Sequence, residues 1–227
     1  MPEGKLKSKK NEVYKKQRVI NGETCYVVEK AFSDVKRFYM EYMLHDMLSK
    51  SDLTIPRLLD FENPCENTNG KLIYEYIDGD VALDTFADTN LAKEVLDQMI
   101  AWMGRFYEIT RQHSGEQWIL GDAHLRNFIY DRAKEKLYGF DLEEVQKGVI
   151  EQDAAKLFLY IATYEPEYSA NHLELAEYFL KKALSRLNLS GHQLLKEISN
   201  EVTQMETRRS CEIRTEFLTP ILERNLM

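Results

Sequence analysis

The residues of this 227-residue chain best suited to chemistry lie between positions 118 and 144. There the chain reads Trp118-Ile119-Leu120-Gly121-Asp122-Ala123-His124-Leu125-Arg126-Asn127-Phe128-Ile129-Tyr130-Asp131, and then Leu137-Tyr138-Gly139-Phe140-Asp141-Leu142-Glu143-Glu144. A carboxylate, four intervening residues, an amide, and a second carboxylate fourteen residues further on after an apolar run give three oxygen-bearing groups at fixed spacing. Converging on one point, they suit a magnesium–phosphate complex. Oxygen ligands are what Mg2+ demands, and a free carboxylate can orient and deprotonate a hydroxyl. On that chemistry Asp122 handles the hydroxyl, while Asn127 and Asp141 hold the metal. The plainer alternative is a hairpin in which Asp122 and Asn127 bond local backbone, and it predicts nothing about the rest of the chain.

Those residues need elements to position them. The runs 12–15 and 24–32 are β-rich and flank the turn-like Asn21-Gly22, so the chain is expected to open as antiparallel sheet. Ser33 or Asp34 then caps a helix to about residue 49, with Phe38, Tyr42 and either Met43 or His45 recurring at helical spacing. Two further strands, 57–62 and 71–76, flank a loop at 63–70 made almost wholly of turn formers. From Asp84 the pattern turns helical. Asn90 caps a stretch to about residue 111 whose apolar face is Val95, Met99, Trp102, Met103 and Phe106. A β-like interlude at 118–141 precedes three more helices, 153–164, 171–187 and 191 to about 223. The layout is a β-rich lobe over 1–77 and a mainly helical lobe over 78–227.

The two motifs together resemble the aminoglycoside phosphotransferase and choline kinase branch of the protein-kinase-like superfamily. Its members carry His-Gly-Asp-x-His-x-x-Asn and then Asp-x-Glu, where this chain has Leu-Gly-Asp-Ala-His-Leu-Arg-Asn and Asp-Leu-Glu. The resemblance implies an α+β, bilobal protein-kinase-like fold: a small antiparallel N-terminal lobe with one helix, and a larger helical lobe carrying the catalytic loop and metal site. It implies ATP and Mg2+ as cofactors, and γ-phosphoryl transfer to a hydroxyl of a small molecule. It assigns nucleotide phosphates to Lys30, with Glu41, eleven residues on, holding that lysine. Asp46 is the acid that would compete if the helix were rotated. Glu75, Tyr76 and Ile77 become the hinge whose backbone meets the purine edge. Asp153 braces the catalytic loop, His124 stabilises transferring charge or packs beneath the loop, and Glu143 takes a second metal or a cationic substrate group.

The departures from the family pattern are specific. Only Gly4 and Gly22 precede Asn69, so the phosphate lid is expected as a glycine-poor hairpin at about 11–14. Leu120 stands where the family has histidine. No Ala-Pro-Glu follows Asp141, which argues against control by an activation segment. Two other readings share this core: a compact RIO-like Ser/Thr protein kinase, and a nucleotide-binding pseudokinase without turnover.

Composition narrows the class from the other side. With 44% hydrophobic and 30% charged residues, the chain can bury a core, and disorder and fibrous repeats are excluded. It has no run of ~18 apolar residues and no apolar signal core after Met1-Pro2-Glu3-Gly4-Lys5, so the cytoplasm is the expected compartment. Cys25, Cys65 and Cys211 are scattered, with no Cys-x-x-Cys, which points to reduced thiols rather than a disulfide framework or a zinc site. Residues 1–20 carry a net +5 and the remainder −13. The basic start reads as a flexible tail over 1–10, and the acidic body argues against nucleic acid as the main partner.

Overall fold

The computed structural model describes residues 4–6, 8, 10–20 and 22–226. The chain divides into two units, one comprising residues 1–78 with 138–144, the other 79–137 with 145–227.

The first unit holds β1 (Gly4–Lys5), β2 (Glu12–Ile20), β3 (Glu23–Ala31), α1 (Val35–Leu48), β4 (Leu58–Glu62) and β5 (Lys71–Glu75). These strands form one five-stranded antiparallel sheet in the order β1-β2-β3-β5-β4. Gly22, at φ 84°, adopts the left-handed conformation in the β2–β3 turn, while Asn21 lies outside the described residues. Asp34 starts α1 by accepting from the Lys36 and Arg37 backbone N–H groups. The helix buries Phe38, Glu41, Leu44, His45 and Leu48, and Met43 points outward at 67% exposure. Of the two alternatives for its third apolar position, His45 is therefore the buried one. Phe32, Phe38, Leu72 and Tyr74 make the core against which Val28, Tyr42 and Leu58 pack. Gly70 closes over it at φ 95°, and a Cβ there would sit 2.6 Å from the Phe38 ring.

The basic start is corrected in part. Gly4 and Lys5 pair with Lys15 and Tyr14 as an edge strand, because alternate backbone groups of β2 would otherwise lie unpaired. Residues 1–3, Lys7 and Lys9 of the expected tail lie outside the described residues.

The second unit contains β6 (Asp80–Val81), a 3-10 turn at Ala82–Ala87, α2 (Thr89–Ser114), β7 (Trp118–Ile119), a 3-10 turn at Leu125–Asn127, and β8 (Phe128–Asp131). The next strand, β9 (Lys136–Gly139), passes from this unit into the first at Leu137–Tyr138. After it come β10 (Gln146–Lys147), α3 (Ile150–Thr163), α4 (Ala170–Arg186), α5 (Gly191–Arg209), a 3-10 turn at Thr215–Phe217, and α6 (Thr219–Leu226). Val95, Met99, Met103, Phe106, Leu157, Phe158, Phe179, Leu194 and Met205 are buried among the helices. Among the described residues no helix is long and apolar enough to cross a membrane.

Three expectations change here. Asp88 rather than Asn90 caps α2, its carboxylate accepting from the Asn90 and Leu91 N–H groups. The single helix expected from 191 to 223 stops at Arg209, where Ser210 turns left-handed at φ 53°. The chain restarts as α6, with Pro220 in a first turn that has no intrahelical use for its missing N–H. Finally, residues 138–144 group with the first unit, so Asp141 belongs with the sheet and not with the helical lobe that was expected to hold it.

Candidate active site

In the first unit the chemistry gathers around Lys30. The side chain leaves β3 next to its last residue and is 8% exposed. Its ammonium lies 2.6 Å from Glu41 on α1, 2.5 Å from Asp141 and 3.0 Å from Glu143. Burial alone would push this amine down, but the three carboxylates outweigh it and hold Lys30 above its ordinary value, so it is charged. Burial pushes Glu41 up, and Lys30 and the Tyr74 hydroxyl, 2.7 Å away, pull it back. Asp46 points outward to Lys50 and does not compete. Glu41, Asp141 and Glu143 each present an oxygen within 4.8 Å of the others, the dimension of a cation site. The cation there is the lysine ammonium itself. Asp141 keeps 36% of its side chain exposed. It sits at φ 63°, in the left-handed region that aspartate enters more readily than most non-glycine residues.

Glu143 is buried, with Asn11, Arg37 at 3.4 Å and Lys30 as its partners. Its cationic neighbours are the chain's own. Across the turn between β1 and β2, Leu6 N–H donates to Val13 O at 2.8 Å, and Val13 and Tyr14 lie within β2. The hairpin expected at about 11–14 is therefore strand from Glu12 onward. Lys10 and Asn11 of that turn reach Glu144 and Glu143.

At the expected hinge, Glu75 N–H donates to Arg57 O at 2.9 Å and Tyr76 N–H to Tyr26 O at 3.2 Å. Both donors are spent inside the unit, and the Glu75 carboxylate pairs with Arg57 at 2.6 Å. Of the three hinge residues, the buried Ile77 keeps an N–H with no backbone partner among the described residues.

In the second unit, the loop Leu120–Asn127 is fixed from α3. Asp153, 1% exposed, accepts from Leu120 N–H at 2.7 Å, Gly121 N–H at 3.0 Å and the Tyr107 hydroxyl at 2.9 Å. Burial drives its carboxyl up to about 6 against these three donors. Gly121 takes φ 74°, which a side chain would resist, and its carbonyl accepts from Lys156. Leu120 is itself buried, so an apolar side chain suits the position. Asn127 is buried, and its Nδ2 donates to the Asp122 carbonyl at 2.9 Å, so its Oδ1 is the atom left to ligate a metal. Asp122 is half-exposed. His124 Nε2 stands 3.6 Å from Asp122 Oδ2, its ring lies edge-on to Tyr160 at 5.8 Å, and its Nδ1 is buried without a hydrogen-bond partner among the described residues.

Sequence reading missed several neighbours of these groups. Lys15, 3% exposed, stands over the rings of Tyr26 and Tyr76 at 4.3 and 3.6 Å, on the sheet face that also carries Lys30. Arg37 and Asn11 hold Glu143. Around Asp122, Tyr160 and Tyr164 stack at 5.7 Å, with Arg209 and Arg126 against them. In sequence each is an ordinary strand, helix or loop residue, and only their assembly distinguishes them.

Neither a protein-family model nor any curated protein matches the chain. A solved structure does: an aminoglycoside phosphotransferase, APH(3'')-Id of Streptomyces rimosus, with a TM-score of 0.58 and 15% identity over 81% of this chain and 90% of that one. The five-stranded antiparallel sheet with a mostly helical remainder is thus the kinase-like bilobal fold. At that identity, the likeness defines a fold and no more.

Proposed function

We propose that this chain is an ATP- and Mg2+-dependent phosphotransferase that moves the γ-phosphoryl group to a hydroxyl of a small molecule. The observation that carries this reading is Lys30 held between Glu41 and Asp141. Two carboxylates, one eleven and the other 111 residues from Lys30 in sequence, lie within hydrogen-bond distance of its ammonium.

In this reading the first unit handles nucleotide phosphates, with Lys30 as the fixed charge. The second unit handles the acceptor. Asp122 orients the acceptor hydroxyl and takes its proton as the oxygen bonds to the γ-phosphorus. The bond from that phosphorus to the β–γ bridging oxygen breaks, and ADP leaves with the electron pair. Mg2+, when bound, would neutralise charge on the phosphates, and the oxygen ligands proposed for it are Asp141 in the first unit and the Asn127 Oδ1 in the second, each taken by itself. Asp153 acts through the loop backbone, keeping Asp122 and Asn127 where they are. Glu143, already engaged by Lys30, Arg37 and Asn11, positions the segment around Asp141. Ile77 carries the hinge contact, since Glu75 and Tyr76 have used their N–H groups. A cytoplasmic setting goes with this chemistry.

The glycine-poor β1–β2 turn favours one second reading, a nucleotide-binding pseudokinase without turnover. The two separate in one experiment: thermal denaturation with ATP and Mg2+, combined with ADP release in the presence of a broad panel of hydroxyl acceptors. Stabilisation with Mg2+-dependent ADP release supports the phosphotransferase. Stabilisation without release supports the second reading, and no stabilisation removes both.

A further inference from the structure

A band of arginines and tyrosines runs outward from Asp122 within the second unit. His124 links Asp122 to Tyr160, which stacks on Tyr164 at 5.7 Å with the planes 22° apart. The Arg209 guanidinium lies 5.3 Å from the Tyr160 ring centre and donates to Thr163 Oγ1 at 3.0 Å. Arg126 lies 5.5 Å from the Tyr164 ring. Arg208 belongs to the same neighbourhood: burial works to lower its pKa, but Glu201 outweighs that, and Tyr160 and then Asp122 add to the rise.

The charge balance of this band is unusual for the chain. Arg208 has Glu201 as its acid. Arg126 and Arg209 have no carboxylate partner among the described residues; their neighbours are rings and a hydroxyl. In a protein of net charge −8, acids are plentiful, yet against Arg126 and Arg209 the band sets one acid, Asp122 at its inner end, and neither guanidinium forms an ion pair among the described residues. A guanidinium presents a planar set of donors that matches a phosphate or carboxylate in a two-pronged contact. Held against a ring, it is pre-oriented and less hydrated, so little is lost when an anion arrives. A polycationic acceptor would meet repulsion here.

We infer that the acceptor is a small hydroxyl compound bearing an anionic group, a phosphate or a carboxylate, which Arg126 and Arg209 bind while its hydroxyl faces Asp122. This rests on the phosphotransferase reading and adds the substrate class. The anion supplies the counter-charge that the band lacks. Tyr160 and Tyr164 provide the flat surface on which the body of the acceptor lies.

The test uses the full chain with Mg2+ and a non-hydrolysable ATP analogue. Binding is measured by calorimetry for glucose, glucosamine, glucose 6-phosphate, gluconate and kanamycin. The anionic probes are expected to bind at least tenfold more tightly than glucose and the two cationic probes. The phosphate and carboxylate arms show which anion is preferred. In Arg126→Gln, and in the double variant Arg126→Gln/Arg209→Gln, that preference is expected to fall at least tenfold, with the loss on the probe and not on the nucleotide analogue. Because Arg126 is exposed, its single variant keeps the test usable if the double variant folds poorly. Cationic or neutral probes binding as tightly as the anions would overturn the inference. So would a preference that survives the variants, or an equal loss of nucleotide affinity, which would assign the arginines to ATP. If the nucleotide analogue with Mg2+ fails to stabilise the wild type, the phosphotransferase reading falls and takes this inference with it.

Discussion

Replacing Lys30 with methionine removes one positive charge from among three acids, and its cost can be worked from their surroundings. Asp141 is 36% exposed and can be hydrated. Glu143 retains Arg37 at 3.4 Å and Asn11. Glu41, with 4% of its side chain exposed, keeps among the described residues only the Tyr74 hydroxyl at 2.7 Å, so the loss falls mainly there. An uncompensated buried charge of this kind typically costs about 3–5 kcal/mol. Glu41 has one escape, which is to take up a proton. From the ordinary value of 4.5, protonation at pH 7 costs about 3.4 kcal/mol, and at pH 5 about 0.7 kcal/mol. The expected destabilisation is therefore about 3–4 kcal/mol at pH 7, shrinking to about 1 kcal/mol at pH 5. The sign follows from linkage. In the variant, the folded Glu41 binds its proton more tightly than the unfolded chain does, so stability is lost as pH rises above about 4.5. Urea denaturation of wild type and Lys30→Met at pH 5 and pH 7 measures both values, and adding Glu41→Gln to Lys30→Met is expected to recover most of the pH 7 loss. A loss that is equal at the two pH values, or under about 1 kcal/mol at pH 7, would refute the claim that the lysine offsets buried acid.

Two further outcomes test how the structure is held. Asp153 titrates at about 6 when folded against 3.8 unperturbed, so its favourable contribution is full below about pH 4 and declines as pH rises through 6, by about 3 kcal/mol. The stability of wild type relative to Asp153→Asn should drop over that window in urea titrations, and a parallel pair of curves would contradict the assignment. Gly70→Ala drives a Cβ to 2.6 Å from the buried Phe38 ring at a positive φ, which predicts about 2–4 kcal/mol of destabilisation by the same method.

Much of the fold was legible because its cues are local. Asn21-Gly22 between β-rich runs, the cap at Asp34, and the apolar face of α2 each carry their own physical reason. The Lys30, Glu41 and Asp141 cluster was reached through the resemblance carried by the motifs at 120–127 and 141–143, since in isolation Lys30 is an ordinary strand-end lysine and Glu41 an ordinary helix acid. Other features depend on packing that no local pattern encodes. The phase of α1 stayed open between Met43 and His45, which stand on nearly opposite sides of a helix; His45, seven residues after Phe38, returns to the buried face, and its ring nitrogen meets Pro56 O at 2.6 Å. The grouping of residues 138–144 with the sheet depends on where the far end of an apolar strand packs, which chain order does not say. The break after Arg209 arises from a single left-handed serine in a segment otherwise suited to helix. The arginine and tyrosine band joins a loop residue, one turn of α3 and the end of α5, three segments with no shared periodicity.

The most direct test of the central claim is steady-state ADP release from ATP and Mg2+, with a hydroxyl acceptor, by wild type and Asp122→Asn, alongside nucleotide affinity for both. Removing the group that takes the acceptor proton is expected to lower turnover about 10²–10⁴-fold while leaving nucleotide binding within a few-fold of wild type. Equal turnover by the two proteins would contradict the assignment of Asp122, and with it the account of this chain as a phosphotransferase.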